Sequence, residues 1–162
     1  CTTQTMLTLT TTCPEATRRL GECLAGALGV GDVIALNGEL GAGKTVFVQG
    51  LAAGLGAIGR VTSPTFVIVR RHQTTPPGAA PLLYHVDAYR LTGGDELLDM
   101  GLDDWLADGA VAIEWAANVA EALPPDHLEI DFRHVGDARV LTVLAHGPRA
   151  RELLEHLRPC GY

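Results

Sequence analysis

The chain has 162 residues, which at roughly 150 residues per domain predicts one domain over 1–162, long enough to bury a core. Its 47% hydrophobic and 19% charged residues exclude a disordered or collagen-like chain. Twelve basic against nineteen acidic side chains leave a net charge of −7, the wrong sign for direct grip on a nucleic-acid backbone, so any nucleic acid is expected only through a partner. No run of 18 or more apolar residues and no charged-then-apolar leader occurs, which predicts no membrane span and a cytoplasmic protein.

Met6 to Thr10 alternate like a half-buried strand; Met6 reads as the native start, with residues 1–5 disordered or non-native. Thr12 and Pro14 then precede a helical apolar pattern at Ala16, Leu20, Cys23, Leu24, Ala27 and Leu28, closed by Gly29 and Gly31. Asp32 to Asn37 is the short, nearly continuous apolar run of a strand buried on both faces, ended by Gly38. A helix is expected from Lys44 to about Leu55, with Val46, Phe47, Leu51 and Leu55 available for its buried face. Phe66 to Arg70 reads as a strand, and Thr74 to Pro81 as an exposed connection that its prolines keep irregular. Leu82 to Asp87 is a further strand, followed by acidic helical turns over about Asp95 to Ala107. Ala110 to Ile113 is a buried-type strand ending at Glu114, and a short helix runs to Leu123 before Pro124 and Pro125. Two β-like segments, Leu128 to Phe132 and Val140 to Ala145, precede an amphipathic helix from Ala150 to Leu157.

Gly38-Glu39-Leu40-Gly41-Ala42-Gly43-Lys44-Thr45 matches G-x-x-x-x-G-K-[ST] between a predicted buried strand and a predicted helix, the context this phosphate-binding motif requires. Its glycines let backbone N–H groups curl round an anion, and the helix starting at Lys44 aims its positive end at the same place. Lys44 is the single lysine among twelve basic residues; a biased genome accounts for the depletion but not for the exception. Lys44 would bridge the β and γ phosphates, and the Thr45 hydroxyl would serve Mg²⁺. The chain is therefore expected to be an α/β, P-loop NTPase-like domain with a mixed, mostly parallel central sheet flanked by helices.

Phosphoryl transfer also needs an acid at the end of a neighbouring strand. Asp87 suits the Mg²⁺ shell, and Glu114 suits a second metal contact or the orienting of water. His85 shares a face with Asp87 by strand alternation and reads as a packing residue. Trp115 fits core or site equally. Thr62-Ser63-Pro64-Thr65-Phe66 lies where many nucleotide switches sense the γ phosphate, and it also fits a plain proline turn. The four cysteines, Cys1, Cys13, Cys23 and Cys160, show no C-x-x-C pair and no zinc-ligand spacing, so they read as reduced thiols.

In order along the chain, these motifs resemble the bacterial TsaE family, the ATPase component of threonylcarbamoyladenosine tRNA modification: Gly38 to Thr45, Ser63-Pro64-Thr65-Phe66, His85-Val86-Asp87-Ala88-Tyr89-Arg90-Leu91 and Glu114-Trp115. Thr12-Cys13-Pro14-Glu15-Ala16-Thr17 looks like the family's entry to its first helix. The resemblance implies that Gly41, Ala42, Gly43, Lys44, Thr45 and Val46 surround the phosphates and that Thr45, Asp87 and Glu114 serve Mg²⁺. It also implies Trp115 beside the site and Arg139, within Gly136-Asp137-Ala138-Arg139, approaching the nucleotide. Ala116 stands where the family commonly has proline, which leaves the path after Trp115 open. ATP is the implied cofactor, Lys44, Asp87 and Glu114 the implied catalytic set, and TsaB and TsaD the implied partners.

Three other readings compete. A small P-loop metabolite kinase would need an arginine-bearing lid, and Thr74 to Pro81 contains no arginine. A GTP switch would need Asn-Lys-x-Asp, which a chain with one lysine in its phosphate loop lacks. A nucleotide-gated protein-binding module with little turnover fits the same motifs.

Overall fold

The structure, a computed structural model, describes residues 5–39, 43–57, 69–74 and 81–161. Seven strands form one sheet: β1 (Met6–Thr11), β2 (Val33–Gly38), β3 (Val69–Gln73), β4 (Leu82–Asp87), β5 (Ala110–Glu114), β6 (His127–Val135) and β7 (Ala138–His146). Their spatial order is β1-β7-β6-β2-β5-β4-β3. The central strands β6, β2, β5 and β4 are mutually parallel, while β3, β7 and β1 extend the edges by antiparallel pairing. The expected mixed, mostly parallel sheet is thus observed. Among the described residues no helix is long and apolar enough to cross a membrane.

The apolar composition of β2 and β5 follows from their position. Val33, Ile34, Ala35, Leu36 and all of Ala110–Glu114 are buried, because helices cover both faces of the sheet there. On one face lie α1 (Pro14–Ala25), α2 (Lys44–Gly54) and α5 (Pro148–Leu157), packed on Ile34, Leu36, Leu128, Ile130 and Leu141. The other face carries α3 (Gly94–Met100), α4 (Leu102–Asp108) and a 3-10 helix over Ala116–Ala122, around Val33, Val86, Val111 and Ile113. Gly101 separates α3 from α4 with a φ of 117°, so the acidic turns expected as one segment are two short helices.

Other boundaries differ from expectation for identifiable reasons. Helix α1 stops at Ala25 rather than at Gly29, yet Leu28 in the following turn is still buried; a turn can bury an apolar residue at helical spacing. Asp32 lies outside β2: its carboxylate accepts Gly29 N at 2.7 Å and a bidentate pair from Arg149 at 2.9 and 2.8 Å, tying α5 to the turn. The last two strands are longer than their apolar cores suggest, because the β6–β7 ladder runs unbroken from His127↔His146 to Val135↔Ala138 around Gly136. The Thr5 carbonyl accepts Ala145 N at 2.8 Å. Cys23 of α1 and Cys160 of the C-terminal turn lie side by side, with Cα atoms 6.5 Å apart. Their 137-residue separation hid a proximity that α1 and the C-terminal turn create.

Candidate functional site

The site forms where β2, β4 and β5 end and α2 begins. Gly43 caps α2 with a φ of 104°, a conformation that glycine adopts without strain, and its carbonyl accepts Phe47 N at 2.9 Å. Gly41 and Ala42 lie outside the described residues, as do Thr62 to Phe66 and most of the Thr74 to Pro81 connection.

Lys44 folds back over its own strand. Nζ donates to Gly38 O at 2.5 Å and sits 3.9 Å from the centre of the Trp115 ring, while the side chain is buried. Among the described residues no carboxylate lies within ion-pair distance of it. Burial lowers its pKa, opposed by the charges of Glu114 and Asp87. A partly desolvated ammonium with one carbonyl and one ring face as partners is a receptive place for an anion.

Glu114 and Asp87 are direct partners in the parallel β4–β5 ladder, so both acids stand at one sheet edge. Glu114 is buried, accepting from the Thr45 hydroxyl at 3.4 Å on one oxygen and approaching His85 Nε2 at 2.5 Å with the other. Because a carboxylate accepts, His85 donates from Nε2, which leaves Nδ1 buried and without a partner among the described residues. The expectation that His85 merely packs is corrected: it holds Glu114. Alternation had already placed its side chain on one face with Asp87, but not within reach of an acid on another strand. Asp87 is half-buried and accepts Tyr89 N at 3.0 Å.

Trp115 follows Glu114 in the left-handed region with φ 58°, and its ring meets Tyr89 edge-on at 5.0 Å. Ala116 begins the 3-10 helix, buried, and Asn37 Oδ1 accepts Ala117 N at 2.9 Å. The path after Trp115 is therefore a tight helical turn pinned to the end of β2.

A cavity of about 120 Å³ opens beside the start of α2, lined by Thr12, Cys13, Pro14, Thr17, Gly43, Val46, Asp137 and Arg139. The β1–β7 register pairs Thr11 with Arg139 and so brings the start of α1 to the β6–β7 turn. Val46, available for the core by spacing, is instead half-buried on this cavity, and Val48 takes a core place. Thr12, Cys13, Pro14 and Thr17 had no site role in the sequence; only their place with Gly43, Val46 and Arg139 around one cavity suggests one.

The residues present fit a nucleoside polyphosphate with a divalent cation. Among the described residues a buried lysine lacks a carboxylate partner, a hydroxyl stands beside an acid, and a cavity is lined by Gly43 and Val46, which flank Lys44 and Thr45 in the chain. A parallel sheet whose strand–glycine–helix unit carries Lys44 and Thr45, with acids on the neighbouring strand ends, defines a P-loop NTPase-like domain. The family model described as threonylcarbamoyl adenosine biosynthesis protein TsaE matches residues 11–141, and the chain belongs to that family. The tRNA threonylcarbamoyladenosine biosynthesis protein TsaE of Streptomyces coelicolor is 49% identical over 138 residues, covering 82% of this chain and 92% of that protein. The protein of the same name from Bacillus subtilis is 41% identical over 146 residues, 89% of each chain. A crystal structure of Bacillus subtilis YdiB superposes with a TM-score of 0.75 at 36% identity, covering 94% of this chain and 93% of that one.

Proposed function

We propose that this chain binds ATP with Mg²⁺ and hydrolyses it, slowly alone and faster with partners, in support of threonylcarbamoyl modification of the tRNA adenosine next to the anticodon. TsaB and TsaD are the proposed partners, tRNA is reached only through that complex, and the setting is cytoplasmic. The observation that carries the reading is the convergence of Lys44, Thr45 and Glu114 at one sheet edge in a TsaE-family chain.

In this mechanism the backbone of Gly41 to Val46 wraps the phosphates, and Lys44 exchanges its carbonyl and ring contacts for phosphate oxygens. Thr45, Asp87 and Glu114 supply the oxygens that would hold Mg²⁺, which when bound neutralises phosphate charge and fixes its geometry. Glu114, aimed by His85, orients the attacking water and accepts its proton. Trp115 shields Lys44 from solvent, and Arg139 with the adjoining cavity receives the nucleoside. The acidic surface suits docking on proteins rather than on nucleic acid.

Two measurements test this. Cells depleted of their own TsaE are supplied with this chain, and threonylcarbamoyladenosine in their tRNA is assayed by mass spectrometry. Steady-state phosphate release is then followed for the chain alone, with TsaB and TsaD, and with tRNA. Restored modification and a partner-dependent rate are expected. Failure of a folded, well-expressed chain to restore it favours the metabolite-kinase reading, and stimulation by tRNA without the proteins overturns the partner assignment.

A further inference from the structure

At the opposite end of the sheet from the phosphate loop, on the face of β6 and β7 turned away from α1 and α5, stand two imidazoles and a carboxylate. His127 and His146 are direct cross-strand partners, and their rings stack 4.6 Å apart at 24°. Glu129 follows two residues along the same strand face, and its Oε1 lies 2.9 Å from His146 Nε2. One ligand atom from each residue falls within 4.8 Å of the others.

We propose that His127, Glu129 and His146 bind a divalent transition-metal ion, with Zn²⁺ as occupant, through three protein ligands and an open fourth position. Zinc takes nitrogen and oxygen ligands at about 2.0 to 2.2 Å in tetrahedral geometry, which sets ligand atoms roughly 3.4 Å apart. His146 Nε2 donates to Glu129 Oε1 at 2.9 Å, so the ion would displace that proton and the pair would open by a few tenths of an ångström; the part-exposed side chains of His146 and Glu129 have room for this movement and to close on His127. An independent feature prepares His127. Its Nδ1 lies 2.8 Å from the carbonyl of Pro124, which only accepts, so Nδ1 carries the proton and Nε2 keeps the lone pair. Metal-binding histidines are commonly oriented by such a carbonyl bond to the other ring nitrogen. Adjacent strands of a sheet hold all three residues, so little ordering remains to be done on binding. A mixed imidazole–carboxylate set with three ligands favours zinc over the oxygen-seeking magnesium of the nucleotide site.

The full chain, freed of metal by chelation and without nucleotide, is titrated with Zn²⁺ by calorimetry and with Co²⁺ by visible absorption. One equivalent binds, Co²⁺ gives the intense visible bands of a tetrahedral site, and Zn²⁺ raises the melting temperature. His146→Ala and Glu129→Gln each weaken binding by more than about tenfold, the scale on which even supporting residues of metal sites act, and lose the thermal shift. Glu129→Gln keeps the side-chain shape and decides the matter if His146→Ala misfolds. Absence of stoichiometric binding, affinity unchanged in Glu129→Gln, or thiolate-to-cobalt charge-transfer bands, which would assign the ion to a cysteine, each overturns the site.

Discussion

Replacing Gly50 by alanine tests how α2, and with it Lys44 and Thr45, is seated. On an isolated helix the change is stabilising by about 1 kcal/mol. Here a Cβ on Gly50 would overlap the carbonyl oxygen of Arg18 and lie 2.9 Å from its carbonyl carbon and 3.1 Å from Glu22 N. Gly21 reciprocates from α1, where a Cβ would overlap Phe47 O and lie 2.9 Å from Leu51 N. The obstructing atoms are backbone, so no rotamer change makes room and the helices must separate. Separation thins the packing of Leu20, Leu24, Phe47 and Leu51, none more than 3% exposed. Overpacking of this kind costs about 1–3 kcal/mol, with a backbone obstruction at the upper end. Subtracting the propensity gain leaves a loss of about 2 kcal/mol, or roughly 4–8 °C in melting temperature. Urea and thermal unfolding by circular dichroism measure it. Ala53→Gly on the exposed face of the same helix serves as the comparison and loses about 1 kcal/mol by propensity alone. ATP affinity should fall in Gly50→Ala and hold in Ala53→Gly. A Gly50→Ala chain as stable as the parent would refute the close backbone contact.

Asp87→Asn should raise the Mg²⁺ concentration needed for phosphate release, whereas Glu114→Gln should depress turnover more than nucleotide binding; calorimetry beside steady-state rates separates them, and identical phenotypes would undo the division of labour. Arg149→Ala leaves the buried Asp32 carboxylate with Gly29 N as its partner. Breaking a fully buried pair costs about 3–5 kcal/mol, and because the Arg149 side chain is 41% exposed the expected loss in urea unfolding is nearer about 2 kcal/mol. Burial holds His72 below the usual imidazole range, with His85 and Arg70 adding to the effect. The folded chain thus refuses a proton that the unfolded chain accepts below about pH 6.5, so this contribution to stability is full at neutral pH and is lost on acidification. His72→Gln should flatten the fall in urea midpoint between about pH 7.5 and 5.5; an unaltered slope would exclude His72 as its source.

Local chemistry made much of this protein readable in one dimension. The strand–glycine–helix unit from Asp32 to Leu55 announces itself because buried parallel strands are continuous apolar runs and phosphate loops need glycine before lysine. Asp87 and Glu114 were recognisable as strand-end acids for the same reason, since the apolar run before each one stops at the sheet edge. Arg139 was accessible only through resemblance to a family: nothing in its neighbourhood in sequence points to a nucleotide. What remained hidden depends on register between distant segments. Pairing of β4 with β5 sets His85 against Glu114, pairing of β1 with β7 brings Thr12 and Arg139 to one cavity, and pairing of β6 with β7 stacks His127 on His146. Side-chain spacing along one strand fixes which face a residue takes, but the neighbour it meets there belongs to another strand, and only the assembled sheet chooses that neighbour.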